Sequence, residues 1–375
     1  MFLEKVKDLA YRLYSRYFCR ARLLRGRLAK SEADFRCLFL GSSKLLSRIE
    51  ERMFSAPPHL ERSWRMRVSA LSGNGLERAG RVDMCVAHLP ARHLERVGPL
   101  SAFRTQELVD QTVDVSPGSP SALKFQQKLK DRERRARRHG WTYRITDSAA
   151  DFELFYDHMY LVHARKQHGK YAFAIPREKL RRVFDEGHLL FLMEGELAIA
   201  GLLFSHQDGT LRFEWLGVLD GERSYVEKGA ISALYCFSVE YGRTAFSFDR
   251  CHFGDALSFL DDGVFLFKRI LGASVSPYGK KAGWLFFINP RQSPLFGAFF
   301  EANPMIVHSG PGLMALVGVP DSHDPTVEEI KRLKSQYHSP GLTGIILIEP
   351  TGRVSRTLTF NAPARSLADP VRQAQ

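Results

Sequence analysis

The sequence has little cysteine and no pattern in its use. Cys19, Cys37, Cys85, Cys236 and Cys251 are odd in number and scattered, and no CxxC pair occurs. Such usage suits a reducing cytoplasm and points to neither a disulfide framework nor a structural zinc site. Uninterrupted apolar stretches are missing too. The best candidate, residues 295–319, is broken by Glu301, Asn303, Pro304, His308 and Pro311, so no bilayer span is expected. Charges at Glu4, Lys5, Lys7 and Asp8 stand where a secretory signal needs an apolar core, which predicts a cytoplasmic protein. Short catalytic signatures are absent: there is no GxSxG, no GxxxxGKS/T and no HExxH. His158, His163 and His168 are spaced five apart, about 140° around a helix, so they cannot converge on one metal. "GPGLMA" (Gly310–Ala315) formally fits a nucleotide-loop pattern but lacks the acidic residue expected further on in a βαβ unit, and it reads as a loop.

Acidic side chains are outnumbered, with 41 Asp and Glu against 54 Lys and Arg, for a formal charge of +13. The excess is concentrated. Residues 1–30 carry nine Lys/Arg against Glu4 and Asp8, and residues 121–140 carry eight against Asp131 and Glu133. These two blocks hold the whole excess, so something acidic is expected to meet them: a phospholipid surface, a carrier protein, a phosphorylated cofactor or RNA. In the first block Phe2, Val6, Leu9, Leu13 and Tyr17 repeat at helical spacing among the cations. That pattern fits a helix packed on its own domain with a solvated basic face, or a peripheral helix on the anionic inner face of a membrane.

At 375 residues, two domains are expected. The Pro/Gly/Ser-rich "VSPGSPS" (Val115–Ser121) is the best boundary, which divides the chain into a basic N-terminal helix (1–30), a first module (31–120), a second (121–290) and a C-terminal extension (291–375) whose last fifteen residues read as disordered. "WRMRVSA" and "RVDMCVAHLP" read as strands in the first module. In the second, "ALKFQQKLKDRERRARRHG" has a helical composition closed by Gly140, and "WTYRIT" is a strand. A helix follows from Ser148 to Gly169, then three strands separated by "GE" and "QDG", a helix through Ile231, Leu234 and Phe237, "TAFSFD" as a strand, "VFLFKRILGA" as a short helix, and "WLFFINP" as a closing strand. Thr326 and Glu329 form a capping-box signature, and "GIILIEP" is a further strand.

"VFLFKRILGA" places Lys268 and Arg269 inside an apolar run that ends in Gly272. Cations near a helix C-terminus with a left-handed glycine cap have an ordinary structural explanation. Cys251 beside His252 could suggest a thiol and base, but adjacent side chains diverge and no orienting carboxylate is identifiable in the sequence. The basic run at 121–140 could hold RNA phosphates or simply be a solvated face; its one aromatic, Phe125, is too few for single-strand stacking.

The order of pieces in the second half resembles the GNAT-like acyltransferases of the FemAB type, a group that includes the peptidoglycan-bridge aminoacyltransferases. The resemblance is carried by "KLKDRERRARRHGWTYRI", "DFELFYDHMYLVHARKQHGK", "LLFLMEGELAIAGLLFSHQDGTLRFEWLGVLD", "FSFDRC" and "FKRILGA"; it covers residues 121–290 and is weaker before them. It implies an α/β (α+β) fold of tandem GNAT-like modules, with mixed, mostly antiparallel sheets flanked by helices and a degenerate first module. It also implies N-acyl transfer from a thioester or ester donor to an amino group of a cell-envelope or polysaccharide precursor. Lys268, matching the family's Phe-Lys signature, would then stand at the transfer centre and stabilise the developing oxyanion. Glu214 and Asp249 are the candidate bases for the incoming amine. Lys228, Gly229 and Arg269 would contact the donor, and Tyr160, Arg165, Lys166 and Arg250 would line the acceptor or donor channel.

The chain departs from the family at one place. Coenzyme-A-binding members carry a Gln/Arg-x-x-Gly-x-Gly/Ala loop, where this chain has only "EKGA" (Glu227–Ala230). Acyl-CoA, an acyl carrier protein or an aminoacyl-tRNA therefore all remain as donors, and no metal is expected. Two other readings stay open: a non-catalytic basic module binding anionic lipid or RNA on the same scaffold, and an aminoacyl-tRNA-dependent ligase.

Overall fold

A computed structural model describes residues 18–41, 44–72, 76, 79–97, 103–169, 174–279, 283–310, 312–320 and 325–360. Residues 1–17 of the expected N-terminal helix and the C-terminal tail lie outside the described residues; the rest of that helix is corrected, because Phe18–Arg27 forms a strand held between two antiparallel partners. The chain divides into two compact units, one of residues 1–109, 256–266 and 276–375, the other of residues 110–255 and 267–275.

The first unit opens with β1 (Phe18–Arg27), β2 (Asp34–Leu40), α1 (Lys44–Met53), β3 (His59–Arg67), β4 (Met84–Pro90), α2 (Leu94–Val97) and β5 (Phe103–Gln106). The second holds β6 (Leu108–Asp114), α3 (Pro120–Arg138), β7 (Trp141–Thr146), α4 (Ala149–Leu154), a π-helical segment (Phe155–Tyr160), α5 (Leu161–His168) and α6 (Arg177–Glu186). It continues with β8 (His188–Glu194), β9 (Leu197–Gln207), β10 (Thr210–Val218), α7 (Arg223–Lys228), α8 (Ala230–Ala245) and β11 (Arg250–Leu257), then the second half of α9 (Gly263–Ile270), whose first half is counted with the first unit, and the start of β12 (Ser274–Pro277). The first unit then resumes with β13 (Gly283–Ile288), α10 (Phe296–Ala302), β14 (Met305–Ser309), β15 (Gly312–Gly318), α11 (Val327–Tyr337), β16 (Leu342–Ile348) and β17 (Val354–Thr359).

Three sheets result, in the orders β3-β1-β2-β4-β13-β5, β12-β6-β11-β10-β9-β8-β7 and β14-β15-β16-β17. Most pairs are antiparallel; β2–β4, β10–β11 and β15–β16 are parallel. The expected class of mixed α/β sheets flanked by helices is the one observed. The expected boundaries are not. "WLFFINP" does not close the second module, because β13 pairs with β4 and β5 and so belongs to the first unit's sheet. Its place beside β6 is taken by the short β12. "VSPGSPS" is not a domain linker but a tight connection from β6 to α3, with Ser119 at the helix N-cap and Pro120 at the first helical position, where a missing N–H costs nothing. Two local readings are corrected likewise. α8 runs on through Ala245, so the strand predicted at "TAFSFD" begins only at Arg250, and "GPGLMA" enters strand β15 from Gly312.

The seven-stranded sheet is covered on both faces. Phe125 and Leu129 of α3, with Leu234 and Phe237 of α8, pack on one core that includes Leu211, Phe213, Cys251 and Phe253. Phe152, Phe155, Met159, Leu180 and Phe184 form the other, against Leu189, Phe191 and Leu203. Strands buried on both faces lose the alternating pattern, which is why "HLLFLM" and "LAIAGLLF" read as continuous apolar runs.

Candidate active site

β10 and β11 are neighbours running in parallel, but their pairing covers only Thr210–Arg212 against Arg250–His252. A β-bulge shifts the β10 register against β9 between Phe213 and Trp215, so Glu214 is the extra residue and the strand bends there. At Gly217 the strand comes so near the π-helical segment that a Cβ would lie 2.4 Å from the Met159 carbonyl carbon and the Tyr160 nitrogen. Only glycine fits. On the other strand Gly254 takes a φ of +73°, a conformation that favours glycine.

Lys268 reaches this stretch of β11 from the last turn of α9. Asp262 caps that helix, its Oδ1 accepting from the N–H groups of Val264 and Phe265 at 3.0 Å each. At the other end Gly272, at φ +93°, donates to the Arg269 carbonyl, and Ala273 donates to that of Lys268. Lys268 is 4% exposed, and its Nζ donates to the Asp255 carbonyl at 2.6 Å. A Cβ placed on Gly254 would be 4.0 Å from the same Nζ and 3.8 Å from the Phe213 carbonyl oxygen. Phe213, Phe253 and Phe267 each contact the Tyr235 ring, the first two edge to face and the third tilted, and burial raises the Tyr235 hydroxyl's pKa. A buried ammonium for which the Asp255 carbonyl is one partner is suited to meet negative charge that develops on a substrate oxygen.

The other expected residues are dispersed. Glu214 accepts from the Ser205 hydroxyl at 3.0 Å and lies 3.6 Å from the Arg212 Nε. It is on the strand that forms one side of the opening. Asp249 and Arg250 pair weakly with each other at 3.5 Å, both more than half exposed, where β10 and β11 are still joined. Gly254 is about 13 Å along β11 from Arg250, so neither Asp249 nor Arg250 is brought to Lys268. Tyr160 is buried, with its hydroxyl accepting the Ile175 N–H at 2.9 Å, and burial pushes its pKa up. It serves the core on that face of the sheet. Arg165 and Lys166 are exposed, and the Lys166 stem lies against Gly221. Arg269 is half-buried, and desolvation holds its pKa below the ordinary value.

Gly229 has a φ of +102° and links α7 to α8. Its N–H donates to the carbonyls of Tyr225 and Val226, so it closes α7. Lys228 points its ammonium at the Tyr225 ring, 5.8 Å from the centroid.

One arrangement was not legible in the sequence. The His252 Nδ1 accepts from the Gly254 N–H at 3.3 Å, and its Nε2 lies 3.3 Å from the Asp110 Oδ1. An Nδ1 that accepts is unprotonated, so the ring hydrogen is on Nε2 and is donated to Asp110. The carboxylate that sequence reading could not find for His252 comes from β6, 142 residues away. The adjacent Cys251 is fully buried in the core and burial raises its thiol pKa, which removes the thiol-nucleophile reading. Among the described residues no group of three or more His, Cys, Asp or Glu could hold a metal, and no helix is long and apolar enough to cross a membrane.

No family model matches the sequence, and no curated protein matches it. Among solved structures, FemX is similar over 72% of this chain and 84% of its own, at 10% identity and a TM-score of 0.37. L-PGS from Bacillus licheniformis is similar over 72% of this chain and 85% of its own, at 11% identity and a TM-score of 0.35. A GCN5-related N-acetyltransferase from Kribbella flavida covers 84% of this chain with 69% of its own, at 11% identity and a TM-score of 0.28. At these identities and TM-scores the likeness carries no argument by itself, and any reading of function rests on the residues described above.

Proposed function

We propose that the second unit transfers an acyl group from a thioester or ester donor to an amino group, with Lys268 as the catalytic cation. The observation that carries this reading is the Lys268 ammonium, 4% exposed and directed by the Asp255 carbonyl beside Gly254, where β10 and β11 are no longer paired. In the reaction the amine nitrogen attacks the carbonyl carbon, a C–N bond forms, and the electron pair of the C=O moves onto oxygen. The oxyanion collapses with loss of the C–S or C–O bond, and the proton lost by the amine ends on the departing thiolate or alkoxide. Lys268 stabilises the oxyanion, a contribution of about 3 kcal/mol. Glu214, on the bulge of β10, is the candidate proton acceptor for the amine. The acceptor class, an amino group of a cell-envelope or polysaccharide precursor, is the one implied by the resemblance of residues 121–290 to the FemAB type.

Lys268→Met tests this directly, since methionine nearly fills the same volume without the charge. A fall in kcat of about 100-fold with the melting temperature held supports the reading. Unchanged turnover, or an absence of transfer from every donor together with salt-sensitive binding of lipid or RNA that ignores Lys268, overturns it in favour of a binding module.

A further inference from the structure

We propose that the exposed face of α3 is the docking surface for an acidic acyl carrier protein, which delivers its thioester-bound acyl group to Lys268. This assignment presupposes the transfer reaction above and names its donor.

α3 is tied at one end to the segment that carries Lys268 and at the other to the α7–α8 connection. Near one end, the Lys128 ammonium donates to the Ile270 carbonyl, two residues past Lys268. Towards the other, the Arg135 Nη2 donates to the Glu227 carbonyl at 3.3 Å, beside Gly229. Along the helix, part of the charge is neutralised: Arg134 pairs with Asp131, and Arg137 with Glu133 and Glu240. Lys124, Lys130 and Arg138 are exposed and make no hydrogen bond or ion pair among the described residues. They span about 21 Å of helix. The local field is strong enough that Arg132 and Lys124, after burial, depress the Lys128 ammonium's pKa.

Charge alone would suit any polyanion, but two aliphatic side chains narrow the choice. Leu123, next to Lys124, is 64% exposed, and Ile270, whose carbonyl Lys128 holds, is 51% exposed. Phosphates offer nothing to cover an exposed leucine, whereas a protein interface combines an apolar centre with a polar rim. The exposed face of α3 also has no aromatic on which a single-stranded base could stack. Coenzyme A is disfavoured from the other side. At the start of α8, where a pyrophosphate would be cradled by backbone amides, the Gly229 N–H is already consumed by α7 and Ala230 is buried. A pantetheine arm carried by a protein needs no such cradle, because the carrier's own surface supplies the binding energy.

The test measures binding of a bacterial acyl carrier protein bearing its free pantetheine thiol, with a bulk transfer RNA as the competing probe. The Lys124→Glu/Lys130→Glu double variant should weaken carrier binding by about tenfold or more, and Leu123→Asp by a similar factor, with wild-type melting temperatures. Carrier binding should also fall between about 50 and about 200 mM salt. Carrier binding that ignores both variants, or transfer RNA binding lost in the charge variant but not in Leu123→Asp with no carrier bound, overturns the proposal. The two readings fail separately. A carrier that docks on this face while no donor ever acylates an amine sinks the enzyme and leaves the dock. Acyl-CoA that donates equally well to wild type and variants, with no carrier bound, sinks the dock and leaves the enzyme.

Discussion

Replacing His252 probes how Lys268 is held. Asp110 accepts from the His252 Nε2, the His252 Nδ1 accepts from the Gly254 N–H, and the next carbonyl along, that of Asp255, holds the Lys268 Nζ. The imidazole is therefore a strut between β6 and the turn of β11 that aims the ammonium. Both of its bonds are 3.3 Å, at the weak end of the useful range. His252→Ala should cost about 1–2 kcal/mol of stability, one modest hydrogen bond at each nitrogen. In a urea-denaturation cycle with Asp110→Asn, the coupling energy should be about 0.5–1.5 kcal/mol. Activity is the sharper readout. A shift of about 1 Å in a catalytic group can cost about 100-fold, so kcat of His252→Ala should fall by at least about tenfold while KM stays constant.

His252→Asn separates positioning from mere stability. Its side-chain oxygen can replace Nδ1 as acceptor for Gly254 but cannot reach Asp110. It should keep most of kcat while losing the coupling to Asp110. The strut is refuted if the asparagine variant falls as far in kcat as the alanine one, or if the coupling is below about 0.3 kcal/mol.

Two further outcomes are expected in stability rather than turnover. His308 is packed 4.5 Å from the Trp284 ring, and burial, then the nearby Arg104 charge, hold its pKa down at about 4. A folded-state value below the ordinary 6.5 means the native state resists protonation, so stability is complete above that pH and is lost as pH falls towards about 4. With its partial exposure, about 1–2 kcal/mol should disappear over that window, and the loss should be absent in His308→Gln; a wild-type melting curve flat across that range contradicts it. Gly217→Ala should destabilise by at least about 2 kcal/mol, because its Cβ would strike backbone atoms of Met159 and Tyr160 rather than a movable side chain. A melting temperature within error of wild type would show that the π-helical segment yields to it.

The second unit was the more legible because its elements are sequential and locally determined. α3 and β7 fall where composition and turn residues place them, and β8, β9 and β10 follow through two tight hairpins. Lys268 stands out only through the resemblance of "FKRILGA" to a family signature, since the local pattern alone has an ordinary explanation as cations at a helix end. The failures share a physical cause: each depends on a partner distant in sequence. β13 looks like any apolar strand, and only its ladders with β4 and β5 decide that it belongs to the first unit's sheet. Asp249 looked well placed at a strand end, yet the strand proper starts at Arg250 and the paired stretch of β10 and β11 keeps that carboxylate away from Lys268. His252 was discounted for want of a carboxylate because Asp110 approaches it across the sheet, from a strand that precedes α3. A local pattern or a family signature can draw attention to a residue such as Lys268. Neither can show what holds it, and here the holding groups include the Asp255 carbonyl and, through the neighbouring Gly254, a histidine whose own support comes from elsewhere in the sheet.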